Sequence, residues 1–239
     1  MSILKLTAEN RNGRTVISQS EFTSPLKIAS PFYRDDYTEV MMMAASAGIL
    51  EGDEYDIEIT VRENASLKFT AQSYSKIFKA DKAGAKQRVR ITVEKGGSLI
   101  YMPCPVIPFA DSVFDSRTEV RLYGDSRFVM TDILACGRTA MKERFAFKSY
   151  RSRTAVYADD KLCFLDNQKL VPSETELSGI GFFENRSHTG MMYLYGKESN
   201  ITENDRIEAA VTNACKGVCI RAAGDSADEI WRYFGEITA

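Results

Sequence analysis

The architecture of this chain is indicated most clearly by the residues Ile91-Thr-Val-Glu-Lys-Gly-Gly-Ser-Leu-Ile-Tyr-Met-Pro-Cys104. They form a β-rich run, a polar turn, a serine and a second β-rich run. The same order occurs in residues 59–72 and 120–132, and a weaker fourth copy spans 156–166. The copies align on Ser66, Ser98, Ser126 and Asp160. Strand-type units that recur at steps of 32 and 28 residues predict stacked β-layers.

The rest of residues 1–170 also predicts strands. Residues 4–8 and 15–18 are expected to form a hairpin across Asn12-Gly13, a dipeptide that favours tight β-turns. Strict alternation of polar and apolar residues in 88–93 places one face of that strand in a core and the other in water.

The end of the chain has a different pattern, which predicts two helices. Residues 202–205 resemble a capping box, apolar residues follow at Ile207, Ala210 and Val211, and Gly217 is suited to end that helix. Residues 226–229 form a second capping box before an apolar face. That face comprises Ile230, Trp231, Tyr233, Phe234 and Ile237. A short strand at 218–222 separates the two helices. We therefore expect a mainly β fold, a β-helix or solenoid-like stack with about two α-helices near the C-terminus, in a single domain over 1–239.

Composition limits the partners and the compartment. The formal net charge is −2, so no basic surface for nucleic acid is expected. No apolar run approaches the roughly 20 residues that cross a membrane. Five irregularly spaced cysteines favour a reducing compartment. These features predict a soluble cytoplasmic protein with neither nucleic acid nor a membrane as its partner.

The sequence contains no recognisable catalytic motif, whether a phosphate loop or a nucleophile elbow. The one histidine, His188, lies in a polar stretch and is expected to be a solvated loop residue. Cys215 and Cys219 have half of a zinc-site spacing, but they are interpreted as small buried residues at a helix–strand junction. The methionines at 41–43 are interpreted as part of a buried strand rather than a soft-metal site.

Polar residues recur six positions after each alignment residue. They are Gln72, Cys104, Asp132 and Asp166. Equivalent positions of stacked strands lie about 4.8 Å apart, so these side chains are expected to lie one above another. Two interpretations remain open. The side chains are either exposed at strand ends with local hydrogen bonds, or they form a polar track for a divalent cation. Carboxylate and thiolate ligands together suit nickel or zinc.

Five short motifs occur in order along residues 25–138. They are Pro25-Leu-Lys-Ile-Ala-Ser-Pro-Phe-Tyr33, Ala47-Gly-Ile-Leu-Glu-Gly-Asp53, Thr70-Ala-Gln-Ser-Tyr-Ser-Lys-Ile-Phe78, Pro103-Cys-Pro-Val-Ile-Pro-Phe109 and Gly137-Arg138. Together they resemble the UreD/UreH family of urease accessory proteins, and a weaker likeness extends to 221–226. The second motif departs from the commoner family pattern, because Ala47-Gly48-Ile49 stands where Pro-Gly-Gly is usual.

The resemblance implies a non-enzymatic accessory protein with a β-helix-like fold and few helices. It implies UreF, UreG and apo-urease as partners in a hetero-oligomer that loads nickel into urease. It also implies no tightly bound cofactor, with nickel only in transit. GTP hydrolysis would belong to UreG, which agrees with the lack of a phosphate loop here.

Four residues are predicted to contact nickel in transit: Asp53, Asp132, Asp166 and Cys104. Asp53 belongs to the Gly-Asp part of the second motif, and single carboxylates suit an ion that must be released. The alternative function is a β-solenoid carbohydrate-active enzyme with Asp132 and Asp166 as an acid/base pair. A third possibility is an assembly module without a role in metal transfer.

Overall fold

The computed structural model describes residues 1–197, 201 and 204–238, which form two β-sheets and a C-terminal helix. The strands are β1 (Ser2–Arg11), β2 (Arg14–Phe22), β3 (Leu26–Ile28), β4 (Phe32–Tyr33), β5 (Thr38–Ala44), β6 (Glu54–Val61), β7 (Ser66–Ala71), β8 (Ser75–Ile77), β9 (Ala85–Val93), β10 (Ser98–Met102), β11 (Val106–Pro108), β12 (Val113–Leu122), β13 (Arg127–Ala135), β14 (Ser149–Ala158), β15 (Lys161–Leu170), β16 (His188–Tyr195), β17 (Ile207–Ala214) and β18 (Gly217–Gly224). The helical elements are a 3-10 turn (Thr139–Met141) and helix α1 (Ala227–Thr238).

The strands stack as the repeats predict. The first sheet has the order β15-β14-β12-β9-β6-β1-β2, and the second has the order β17-β18-β16-β13-β10-β7-β5-β3 with β4, β8 and β11 attached. Each of the three repeats places its first strand in the first sheet and its second strand in the second sheet. Neighbouring copies pair in parallel, β6 with β9 and β9 with β12, then β7 with β10 and β10 with β13. The solenoid-like, mainly β class is therefore confirmed.

The turns of the repeats are equivalent, but the third serine is shifted by one residue. In each turn the last residue donates its backbone N–H to the carbonyl three positions earlier, and these last residues are Ala65, Gly97 and Ser126. Ser66 pairs with Ser98, but Ser98 pairs with Arg127. The alignment on Ser126 is therefore wrong by one position, because a serine recurs in the sequence without marking the same place in the turn.

The fourth copy continues the stack with its first strand only, because β14 pairs in parallel with β12 while its second strand does not enter the second sheet. β14 and β15 form an antiparallel hairpin within the first sheet, with Val156 opposite Phe164. Asp159 and Asp160 make the tight turn with φ of 47° and 62°. Aspartate tolerates this left-handed region better than most residues, which explains why two of them occur here. The predicted N-terminal hairpin is confirmed, because Arg11 pairs with Arg14 across Asn12 and Gly13.

The main core lies between the two sheets. Leu67, Leu99 and Phe128 occupy paired positions in the second sheet, and each is at most 1% exposed. Ile59 and Ile91 face them from paired positions in the first sheet and are equally buried. Burial of these stacked apolar rows is the main force that holds the layers together.

A second core lies between the outer face of the second sheet and helix α1. Ile230 and Phe234 of the helix pack against apolar residues of β13, β16 and β18. The hydroxyl of Ser226 accepts the backbone N–H of Glu229 at 3.3 Å, so the second predicted capping box and its helix are confirmed. The helix lies very close to β16, because a Cβ added at Gly190 would be 2.9 Å from side-chain carbons of Ile230 and Phe234.

The prediction of the first of the two helices is wrong. Among the described residues, α1 is the single α-helix. Residues Ile207–Ala214 form strand β17, antiparallel to β18. Only Ile207 of this strand is buried, so the pattern of small apolar residues does not mark a helical face. Pairing with β18 overrides the local preference. A Cβ at Gly217 would clash with the backbone of Leu194, so this glycine permits close strand packing rather than ending a helix. Thr202 and Glu203 of the predicted capping box lie outside the described residues.

Candidate functional site

Asp132 projects from β13 of the second sheet into the space between the sheets. Its Oδ2 accepts a hydrogen bond of 2.9 Å from the hydroxyl of Ser152, which lies on β14 of the first sheet. Burial raises the pKa of Asp132, and the nearby carboxylate of Asp166 raises it further, while Ser152 and Arg221 act in the opposite direction. The Ser152 hydroxyl is an uncharged hydrogen-bond donor, so it offsets only part of the energetic cost of burying the ionised carboxylate of Asp132.

Asp166 lies beside Asp132 but belongs to β15 of the first sheet. It forms an ion pair with Arg221 of β18, and its other oxygen accepts an N–H of Gln168 at 3.2 Å. The side chain of Asp166 is 11% exposed and that of Arg221 is 44% exposed, so the pair closes one end of the space between the sheets. The predicted equivalence of Asp132 and Asp166 is wrong, because they come from different sheets. The fold nevertheless brings both side chains into electrostatic contact.

A narrow cavity of about 60 Å³ lies beside Asp132 between the sheets. It has room for a few water molecules. A wider pocket of about 190 Å³ shares Met42, Ile57, Ala71, Ser75 and Gln87 with this cavity, so the two spaces adjoin. The pocket is open to the surface near Ser46 and Gly48.

The inner face of the first sheet carries a row of polar side chains in direct register across β6, β9, β12, β14 and β15. We call this set the polar row, and it consists of Tyr55, Gln87, Ser116, Ser152 and Gln168. Neighbouring members lie about 4.8 Å apart in such a ladder. The polar row runs from the wider pocket, lined by Tyr55 and Gln87, to the Asp132–Ser152 pair and then to the groove lined by Gln168 and Arg221.

Cys104 lines the same narrow cavity as Asp132. Its thiol donates a hydrogen bond of 2.9 Å to the carbonyl of Ala71. Burial, with a smaller effect of Asp228, raises the pKa of Cys104 to about 11. The residue is therefore a neutral thiol near pH 7, which is a weak ligand until a metal ion displaces its proton.

Asp53 stabilises the turn before β6. Its Oδ2 accepts the backbone N–H of Leu50 at 2.8 Å and the hydroxyl of Tyr55 at 3.0 Å. Within the described residues, no hydrogen bond or ion pair joins Asp53 to Asp132 or Asp166. Through Tyr55 it contacts the beginning of the polar row, and its hydrogen bonds are those of a turn-capping residue.

His188 is not a solvated loop residue, as the sequence suggested. It begins β16, is 8% exposed, and its Nδ1 lies 2.7 Å from the hydroxyl of Ser187. Burial lowers the pKa of His188, although Asp225 and Asp228 act against this. The residue is a neutral, hydrogen-bonded part of the sheet edge.

The described residues offer oxygen and sulfur donors in series rather than a closed metal cage. No three His, Cys, Asp or Glu side chains among them converge on one point where a metal ion could be held. Isolated carboxylate, hydroxyl and amide groups bind a divalent cation weakly and exchange it readily.

Comparison with known proteins places this chain in a family. The model of the UreD urease accessory protein family matches residues 2–239. The chain belongs to the UreD family. It is 37% identical to the urease accessory protein UreD of Acetivibrio thermocellus, over 96% of this chain and 92% of that protein. It is 30% identical to the urease accessory protein UreH of Helicobacter hepaticus, over 97% of this chain and 95% of that protein.

The size of the cavity beside Asp132 bears on the alternative function, a carbohydrate-active enzyme. The narrow cavity beside Asp132, at about 60 Å³, is far smaller than the ~300–1,000 Å³ of typical small-molecule sites. A carbohydrate-active site with Asp132 and Asp166 as its acid/base pair therefore gains no support.

Helix α1, with 12 residues, is too short to span a membrane, and no other helix of the described chain is long and apolar enough to do so.

The partners of the two aspartates were not predicted from the sequence. Ser152 and Arg221 hold Asp132 and Asp166, and neither was singled out. A signal for the polar row existed, because Gln87 and Ser116 stand at core-facing positions of otherwise alternating strands. Only the register between strands shows that these side chains are neighbours.

Proposed function

We propose that this UreD family member is a non-enzymatic, cytoplasmic accessory protein that joins UreF, UreG and apo-urease in a hetero-oligomer. In this complex it passes nickel towards the urease active site through the space between its two sheets. Nickel is cargo, and no tightly bound cofactor is involved. The observation that carries the proposal is the polar row leading to Asp132 and Asp166.

The chemistry of the route supports transit rather than storage. A hydrated divalent cation is stabilised by single carboxylates and by neutral oxygens, each of which it leaves at low cost. Asp132 and Asp166 provide the negative charge at the narrow part of the route, where their mutual repulsion disfavours two ionised carboxylates. A passing cation relieves that repulsion, so its presence lowers the energy of both charges.

Cys104 contributes a thiol to the narrow cavity beside Asp132. Asp53 lies at the beginning of the polar row, because it accepts a hydrogen bond from the hydroxyl of Tyr55. The two positions differ in what they offer. The Cys104 thiol can bind the ion once its hydrogen bond to the Ala71 carbonyl breaks. Both hydrogen bonds of Asp53 Oδ2, in contrast, stabilise a turn. Asp132 and Asp166 are therefore the acids that we expect to matter most for nickel, and Asp53 the one that we expect to matter most for the fold.

The experiment replaces these acids in cells that express urease with its accessory proteins. Asp132→Ala and Asp166→Ala are expected to lower urease activation by ~10-fold or more, the range seen when supporting groups of metal sites are removed. Co-purification with UreF and UreG is expected to persist. Asp36→Ala removes an exposed acid and is the matched control.

Full activation by the Asp132→Ala, Asp166→Ala double variant with an intact complex would refute transit along this route. Loss of the complex in the double variant, with the control unaffected, would instead assign these acids a structural role.

A further inference from the structure

Two cysteines from different sheets meet at one corner of the molecule. Cys163 lies on β15, an edge strand of the first sheet, and Cys215 lies in the turn between β17 and β18 of the second sheet. Both contact the hydroxyl of Tyr193. The sulfur of Cys163 is 3.7 Å from this hydroxyl, which in turn donates a hydrogen bond of 3.3 Å to the carbonyl oxygen of Cys215. The shared hydroxyl brings the two residues into the same small volume.

The surrounding packing fixes this corner. The rings of Phe164 and Tyr193 stack with centroids 4.2 Å apart and an interplanar angle of 11°, which holds β15 against β16. The Tyr193 hydroxyl and the Cys215 thiol both act on the thiol of Cys163. Burial raises the pKa of Cys163, the Tyr193 hydroxyl lowers it, and the thiol of Cys215 raises it again.

The pair is accessible to small molecules from solvent. Cys215 is exposed and Cys163 is partly exposed, whereas Cys136 and Cys219 are buried. No third histidine, cysteine or acid within the described chain joins the pair to form a metal-binding group. Two adjacent thiols that lack further ligands are better suited to forming a disulfide than to holding an ion.

We propose that Cys163 and Cys215 form a dithiol that a low-molecular-weight disulfide converts into a disulfide bond between the two sheets. The exposed Cys215, as its thiolate, attacks one sulfur of the small disulfide, and one small thiolate leaves with the electron pair of the broken S–S bond. Cys163 then loses its proton to solvent and attacks the sulfur of Cys215. The second small thiolate leaves, so two protein thiols are oxidised and one small disulfide is reduced to two thiols.

The bond would tie the edge strand β15 to the β17–β18 hairpin, next to the Asp166–Arg221 ion pair that joins the same two strands, β15 and β18. It would therefore replace a reversible contact between the sheets with a covalent one. The inference does not depend on nickel transfer, because it rests only on the placement of the two thiols.

The test uses the full chain treated with oxidised glutathione and then digested without reduction. Mass spectrometry is expected to find the peptides of Cys163 and Cys215 linked in the unchanged protein and in Cys219→Ala. The link is expected to be absent in Cys163→Ser, which should instead retain glutathione on Cys215. Oxidation of the unchanged protein should raise Tm by on the order of 5 °C, and dithiothreitol should reverse the change.

Two results would overturn the proposal. One is glutathione retained on Cys215 of the unchanged protein without any link to Cys163. The other is a link between Cys215 and Cys219 in place of the link to Cys163. Both are read from the unchanged protein, so the conclusion does not depend on whether a variant folds.

Discussion

At the scale of single residues, the environment of Asp132 determines the charge inside the molecule. Its one identified hydrogen bond to a side chain comes from a neutral hydroxyl, and burial together with Asp166 raises its pKa in the folded protein. In the unfolded chain the pKa returns to about 3.9. The folded state therefore binds the proton more tightly, so this residue lowers the free energy of unfolding as pH rises above about 4. Below that pH both states are protonated and the effect disappears.

Asp132→Asn is therefore expected to raise Tm at pH 7.5 relative to the unchanged protein, because asparagine accepts the Ser152 hydroxyl without a buried charge. The gain should shrink towards zero as the pH falls to about 4. Thermal unfolding across this pH range measures it. Asp36→Asn, at an exposed position, should show no such trend. A loss of Tm at Asp132→Asn that is the same at every pH would contradict this explanation.

The sequence predicted that Asp132 and Asp166 are important together, but for a reason that the structure does not support. Their spacing from the alignment residues suggested stacked positions of one sheet, yet they face each other from two sheets. Proximity across a core depends on how the sheets pack, and a linear pattern contains no information about it. The same limit hid Arg221, whose ion pair with Asp166 spans 55 residues of sequence.

At the scale of elements, local signals predicted strands and turns well and misassigned one helix. Alternation in β9 and the Asn12-Gly13 turn have direct local causes, and both predictions are confirmed. β17 has small residues that fit either structure, and its strand pairing is decided by β18. His188 was misjudged in the same way, because polar neighbours suggested a loop where a strand begins.

The contact between β16 and α1 gives a prediction at this scale. Gly190→Val would place methyl groups where Ile230 and Phe234 already lie, so the helix must shift outwards. Overpacking of this kind costs ~1–3 kcal/mol of the free energy of unfolding. Urea denaturation measures the change. Ala210→Val adds two methyl groups on the exposed strand β17 and should change stability by less than ~0.5 kcal/mol. Equal stability of both variants would show that the helix is not closely packed on β16.

At the scale of the whole molecule, the solenoid creates a continuous polar interior that no single element has. Parallel stacking puts one polar residue from each of four strands in register, and the antiparallel strand β15 adds a fifth. The second sheet covers this row with Asp132 and Cys104. The stack itself was predictable from the repeats. The continuous polar interior was not, because it arises from side chains that single strands show only as isolated exceptions to alternation.

The most direct test of nickel transit fills the route without changing its charges. Ala71 lines both the narrow cavity and the wider pocket, so Ala71→Leu puts bulk where the two spaces adjoin. Ala146→Leu adds the same bulk at an exposed position and is the control. The measurement is the nickel content per urease active site after co-expression with UreF and UreG, by elemental mass spectrometry. We predict that Ala71→Leu assembles normally and leaves urease largely without nickel, while Ala146→Leu loads it fully. Normal nickel content with Ala71→Leu in an intact complex would contradict transit through the space between the sheets.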